Sequence, residues 1–295
     1  MDYSKLPTEK QNRRTVSLDT QSVEKILRLI DQEDRQVPQA VARVHRPLAR
    51  AVQLIVSSLK KGGRLFFFGA GTSGRLGVLE AAECPPTFNT PPGLVQAIMA
   101  GGKKAVFHSQ EGAEDRNREA RHQVRKRVRK GNVVVGISAS GVTPFVSGAL
   151  QEARKKGAKT ILVACNLSSP LRKTADILIA PKTGPEVIAG STRLKAATAT
   201  KLILNRLTVC SMVRLGKVYG NWMVDLQPRS KKLRRRALRI LSELGRIPDR
   251  KAKSILQRAR NRTKVAILMA RKNLTYREAS TLLKQKDGFL RRALK

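Results

Sequence analysis

The sequence predicts an α/β fold: a doubly wound, five-stranded parallel sheet with N-terminal helices and a small C-terminal helical domain. Three observations carry this expectation. Through the middle of the 295-residue chain, short apolar runs alternate with helical segments, the pattern of a parallel sheet covered on both faces. The first of those runs leads directly into a glycine-rich turn, "GAGTSGRLG" (69–77). After "GNWMVDLQP" (220–228) strand-like runs cease and only amphipathic helical stretches follow.

The elements follow in order. From Leu18 to about Asp34, apolar residues recur at helical spacing (Val23, Ile26, Leu27, Ile30), with Asp19 or Thr20 available as a cap. A second helical stretch runs from about Pro38 to Leu59 and stops at Gly62-Gly63. The predicted strands are "RLFFFG" (64–69), "LVQAIMAG" (94–101), "VVVGISA" (133–139), "TILVAC" (160–165) and "DILIA" (176–180). Helices are expected between and after them, from Ser73 to Glu83, Glu114 to Lys130, Thr143 to Lys156 and Thr192 to Leu215. The first should end where Pro85-Pro86 turns the chain. Four further helices are predicted over 230–245, 249–261, 262–273 and 275–286, with Gly245, Asn261 and Asn273 as terminators. The resulting division is an N-terminal helical arm (1–53), a sheet domain (54–217) and a C-terminal helical region (218–295).

Apolar residues make up 41% of the chain, enough for a core, yet no run approaches the ~20 apolar residues of a membrane span. The start, "MDYSKLPTEKQNRR", lacks the apolar stretch of a secretory signal. Cys84, Cys165 and Cys210 form neither a disulfide framework nor, with His45, His108 and His122, a metal-ligand pattern. The expectation is a cytoplasmic protein without a metal. Sixty Lys and Arg against 21 Asp and Glu give a net charge of +39, which favours non-specific adhesion to polyanions. The densest basic segments, 121–130 and 229–236, read as solvated helix faces. They contain none of the interleaved aromatics of a base-stacking surface.

Gly69, Gly71 and Gly74 have the spacing of a dinucleotide-binding turn. Such a site also needs an acidic residue about 20 positions on, and "NTPPGLVQAIMAGG" has none. A phosphate loop of the Walker type needs Gly-Lys, and Gly74 is followed by Arg75. Thr72 and Ser73 at a helix start instead suit a phosphate monoester. "GISASGVTPF" (136–145) repeats this chemistry with Ser138, Ser140 and Thr143. In an open parallel sheet both loops lie at the carboxyl ends of strands, where ligands bind. Two such loops favour a phosphosugar, although each alone also reads as a tight turn with capping hydroxyls.

At these residues the chain resembles the sugar isomerase (SIS) domain family, and more narrowly the N-acetylmuramic acid 6-phosphate etherases and their relative, the glucokinase regulatory protein. The segments that carry the resemblance are "TEKQN" (8–12), "GAGTSGRLGVLEAAECPPTF", "EGAED" (111–115), "GISASGVTPF", "GPEVIAGSTRLKAATATKLILN" (184–205) and "GKVYGNWMVDLQ" (216–227). Val142 and Phe145 stand where the family usually has Arg and Tyr, and Arg13, just after "TEKQN", where it usually has Pro.

The resemblance implies a lyase that removes D-lactate from N-acetylmuramic acid 6-phosphate, giving N-acetylglucosamine 6-phosphate in cell-wall sugar recycling. It implies no cofactor, and a homodimer with its site near the subunit contact. In the open-chain aldehyde a base takes the C2 proton, an acid assists departure of lactate from C3, and water adds. Each positioned proton transfer is worth ~100- to 10,000-fold. By resemblance Glu83 is the acid and Glu114 the base. Without it, each reads first as a helix-end charge. Thr72, Ser73, Ser138, Ser140, Thr143, Glu186 and Ser191 are the expected substrate-binding residues, with Thr192, Arg193 and Lys195 as further pocket candidates. The alternative function is a non-catalytic sugar-phosphate-binding regulator of a partner protein.

Overall fold

The computed structural model describes residues 4, 6–228 and 230–295. They form two compact units, one comprising the chain up to Ala82 with Gly93–Thr208, the other Glu83–Pro92 with Val209–Lys295.

The first unit is built on β1 (Leu65–Gly69), β2 (Val95–Met99), β3 (Val133–Ile137), β4 (Lys159–Val163) and β5 (Ile177–Ile179). All neighbours are parallel, in the order β2-β1-β3-β4-β5, with Leu65 of β1 aligned between Val95 and Val133. Both central strands β1 and β3 are buried at every position. That is why they read as unbroken apolar runs. Phe66, Phe68, Val134 and Leu162 share one core cluster with residues of α6 (Asn117–Arg127) and α7 (Pro144–Lys155). On the opposite face Phe67 meets α4 (Gly71–Phe88) at Gly77, where an added Cβ would lie 3.0 Å from the Phe67 Cβ.

Before the sheet, a 3-10 turn (Leu18–Thr20) precedes α1 (Val23–Asp34), which is capped by Ser22 rather than by Asp19 or Thr20. The predicted second helix is two, α2 (Gln36–Ala42) and α3 (His45–Lys60). Pro47 explains the break, because its ring excludes a helical carbonyl four residues earlier, at Arg43. Conversely, α4 does not turn at Pro85-Pro86. It continues through both to Phe88 and closes with the Asn89 N–H on the Pro85 carbonyl (2.9 Å), Asn89 taking φ of 52°. Each proline costs the bond to the carbonyl four residues back and crowds that carbonyl, but it keeps a helical φ, and here the helix continues for its last turn. A short α5 (Lys104–Phe107) was not expected, and α6 starts three residues after Glu114, which sits in a separate 3-10 turn (Ala113–Asp115). The last helix of this sheet region, α8 (Lys195–Arg214), begins after Thr192.

The second unit contains α9 (Lys231–Gly245), α10 (Asp249–Arg258), α11 (Thr263–Lys272), α12 (Tyr276–Gln285) and an unexpected α13 (Leu290–Leu294). Residues 263–269 of α11 are all buried, so it is the central helix of this unit. The left-handed terminators are Asn261, Asn273 and, one residue beyond the predicted Gly245, Arg246. Among the described residues no helix is long and apolar enough to cross a membrane.

Candidate functional site

The chain leaves β1 for α4 and β3 for α7 at adjacent positions, and between these strands the strand order reverses. Ligands bind at such a switch point in open α/β sheets. A cavity of about 390 Å³ lies there, walled by Ala70, Gly71, Thr72 and Ser73 on one side and by Ala139, Ser140, Val142, Thr143 and Pro144 on the other. Glu114 and Asp115 also line it, as do Leu6, Glu9, Gly190 and Thr192.

The first wall depends on glycine. Gly71 takes φ of 52°, and a Cβ on Gly74 would meet the Gly69 carbonyl oxygen at 2.7 Å. Strand and helix thus turn within two residues, and the first N–H groups of α4, which have no intrahelical acceptor, face the strand ends. The second wall is held by hydroxyls. Ser138 is 2% exposed, shares a 2.8 Å hydrogen bond with Thr143 and accepts the Gly141 N–H at 3.1 Å. Ser169 donates to the Gly141 carbonyl (2.5 Å) and Asn166 to the Ser140 carbonyl (3.0 Å). Asn117, at the start of α6, donates to the Pro144 carbonyl at 2.9 Å, with Gly148 leaving room for it.

Of the nine predicted site residues, Thr72, Ser73, Ser140, Thr143 and Glu114 meet at this cavity. Ser138 braces the loop from behind. Glu186 is 1% exposed, and its two carboxylate oxygens accept the N–H groups of Lys195 and Ala196, each at 2.9 Å. It therefore caps α8, and burial pushes its carboxyl above the usual range despite those donors. Ser191 is outside the lining, between Gly190 and Thr192, which are in it. Glu83 is exposed on α4 and is not a lining residue. It is eleven residues beyond Thr72 in the sequence. Arg193 is exposed, and Lys195 is buried against Glu33.

Glu9 and Asp115 are carboxylates that sequence reasoning did not select. Glu9 arrives on the N-terminal arm, which is tied to the 185–192 loop. The Gly190 N–H donates to the Thr8 carbonyl (3.1 Å) and the Thr15 hydroxyl to the Val187 carbonyl (2.9 Å). "TEKQN" was the available signal, but no local pattern places it across a segment some 180 residues later. Among the described residues no Lys or Arg lines the cavity, which presents helix N-termini and hydroxyls. Of the cysteines, Cys84 is buried, and Cys165 is pushed up by burial to about 12.

Residues 47–154 match the glucokinase regulatory protein N-terminal SIS domain, and residues 113–210 match the SIS domain. Among solved structures, a phosphoheptose isomerase from Francisella tularensis superposes with a TM-score of 0.54 at 19% identity, over 65% of this chain and 100% of that one. The corresponding enzyme from Neisseria gonorrhoeae gives 0.52 at 18% identity, over 64% and 98%. These likenesses speak for the fold. Sequence relatives are nearer. The N-acetylmuramic acid 6-phosphate etherase of Clostridium acetobutylicum is 48% identical, covering 98% of this chain and 96% of its own length. N-acetylmuramic acid 6-phosphate etherase 2 of Vibrio cholerae is 47% identical, covering 99% and 95%. Identity at this level along nearly the whole of both chains, on a sheet whose two hydroxyl-bearing loops meet at one cavity, means that this protein belongs to the N-acetylmuramic acid 6-phosphate etherase family.

Proposed function

We propose that the protein cleaves the D-lactyl ether of N-acetylmuramic acid 6-phosphate, and that the cavity between α4 and α7 holds the substrate. One observation carries the location: hydroxyls from two separate loops and the Glu114 carboxylate converge at the switch point of the sheet. The phosphate dianion takes the open N–H groups of α4 and the hydroxyls of Thr72, Ser73, Ser140 and Thr143, with both helix dipoles favouring its charge. Thr192 and Gly190 bound the sugar on the arm side.

In the open-chain sugar, the aldehyde acidifies the C2 proton. Glu114 takes that proton, and the electron pair expels the lactate oxygen from C3 as it gains a proton from Glu83. The resulting unsaturated aldehyde adds water at C3 and regains a proton at C2, giving N-acetylglucosamine 6-phosphate and D-lactate. Both carboxylates reverse their roles in the second half. Glu83 enters the site, in this reading, from a second copy of the chain. Its absence from the cavity lining supports this, as does Leu79, one turn earlier on α4 and 46% exposed.

The test is release of D-lactate from purified protein given N-acetylmuramic acid 6-phosphate. Wild type should release it with turnover. Glu114→Gln should lose about 100-fold or more of the rate while still binding the sugar phosphate. Tight binding of the phosphosugar without lactate release from wild type would replace the enzyme with a sugar-phosphate sensor.

A further inference from the structure

We infer that the second unit carries a phosphomonoester site of its own, at the amino end of α11. A cavity of about 600 Å³ opens there, within the size range of small-molecule sites. Thr263, Lys264 and Val265, the first turn of the ten-residue α11, line it. The residue before them, Arg262, has a side chain that donates only, so no side-chain cap occupies their N–H groups. A second observation points independently to a ligand. Thr263 is 2% exposed, lines the same cavity, and its hydroxyl has no hydrogen-bond partner. Buried hydroxyls are almost always paired, and an anion at the α11 terminus supplies the missing acceptor.

The charges fit. Among the described residues the one lining carboxylate, Asp225, is already engaged by Lys217 (2.8 Å) and Lys264 (3.0 Å). Lys264 also donates to the carbonyls of Gly216 and Gly288, so this group braces the wall. Arg260, Arg262 and Lys284 have no carboxylate partner among the described residues and give the cavity its surplus positive charge. Arg260 and Asn261 both take left-handed backbone, with φ of 53° and 60°, and Arg260 lies over the Tyr276 ring at 4.7 Å. Gln227, hydrogen-bonded to Asn89, and Ser280 supply neutral polar groups for a hydroxylated body attached to the phosphate. The ligand class is a small phosphorylated polyol or sugar. The inference does not depend on the reading of the first cavity.

The test is hydrogen exchange on the full chain with inorganic phosphate, glucose 6-phosphate or glucose, at matched ionic strength. Amides of 263–266 should slow about 5-fold or more with the two phosphates and not with glucose, scored separately from the first turn of α4. Thr263→Val should weaken the phosphate effect about 10-fold, the scale of one lost charge-assisted hydrogen bond. It should not lower the ligand-free melting temperature, because it removes an unpaired hydroxyl. Arg262→Glu with Lys284→Glu should abolish protection at α11 and leave the α4 response intact. Two results would overturn the inference. One is α11 amides unmoved by phosphate at concentrations that protect α4. The other is protection by duplex DNA alone, which would make the basic wall a phosphodiester surface. Undiminished phosphate protection in Thr263→Val and the double variant would overturn it equally.

Discussion

Lys195→Met tests how the N-terminal arm is held against the sheet unit. Lys195 is 1% exposed and pairs with Glu33, itself 3% exposed. The other Glu33 oxygen meets Arg14 at 3.1 Å, but Arg14 is 61% exposed and its interaction is screened by water. Removing Lys195 therefore strands a buried carboxylate whose one remaining charged partner is at the surface, with Gln36 donating at 3.4 Å. Breaking a buried pair costs about 3–5 kcal/mol, and Arg14 keeps the expectation near 3. With a urea dependence of about 3 kcal/mol per molar for a unit of this size, the midpoint should fall by about 1 M. The lone tryptophan, Trp222, is in the second unit, so the readout should be urea-dependent hydrogen exchange across α8. Adding Glu33→Leu should recover most of the loss, because the stranded charge is gone. Burial pushes the Glu33 carboxyl up, but the Lys195 hydrogen bond and charge outweigh it and hold the group below its usual value. The stabilisation is thus present at neutral pH and above the ordinary carboxylate pKa, and is lost as pH falls through the depressed folded value. A change below 0.5 kcal/mol in Lys195→Met would refute this account of the arm.

Three further expectations concern the site and the charge. Glu186→Ala should cost about 1–2 kcal/mol in unfolding through loss of the α8 cap, with a smaller effect on KM than Ser140→Ala. A larger KM effect would make Glu186 a substrate contact. Ser138→Ala should both destabilise the first unit by about 1 kcal/mol and raise KM, because Thr143 and Gly141 lose their brace, whereas Ser140→Ala should raise KM with stability unchanged. Duplex DNA of any sequence should bind weakly, with affinity collapsing between 50 and 200 mM salt as expected for counterion release. Sequence-dependent, salt-resistant binding would contradict adhesion by net charge alone.

The sheet was legible because its central strands are buried on both faces, so "LFFF" and "VVVGI" carry no polar interruptions. The two loops that line the cavity were legible because tight βα turns require glycine and hydroxyl residues at fixed offsets. What escaped the sequence depends on distant partners. Glu9 is brought to the cavity by an arm bonded to a loop beyond the last strand, where the Gly190 N–H donates to the Thr8 carbonyl and the Thr15 hydroxyl to the Val187 carbonyl. The basic face of α6 reads as solvated, yet Arg121 and Arg125 reach Glu152 on α7, at 3.8 and 2.8 Å. α11 was read as amphipathic, but as the central helix of its unit it is buried along seven consecutive residues. Pro85-Pro86 misled for a local reason: α4 tolerates two missing N–H donors near its end, so the turn waits until Asn89.

The central claim is that the switch-point cavity carries out elimination followed by water addition, with Glu114 moving the C2 proton. The most direct measurement runs the reaction on N-acetylmuramic acid 6-phosphate in deuterated, oxygen-18-enriched water and reads the product by mass spectrometry and NMR. The account predicts N-acetylglucosamine 6-phosphate with deuterium at C2 and oxygen-18 at the C3 hydroxyl, and neither label installed at an appreciable rate by Glu114→Gln. Product retaining its C2 hydrogen and its original C3 oxygen would contradict it.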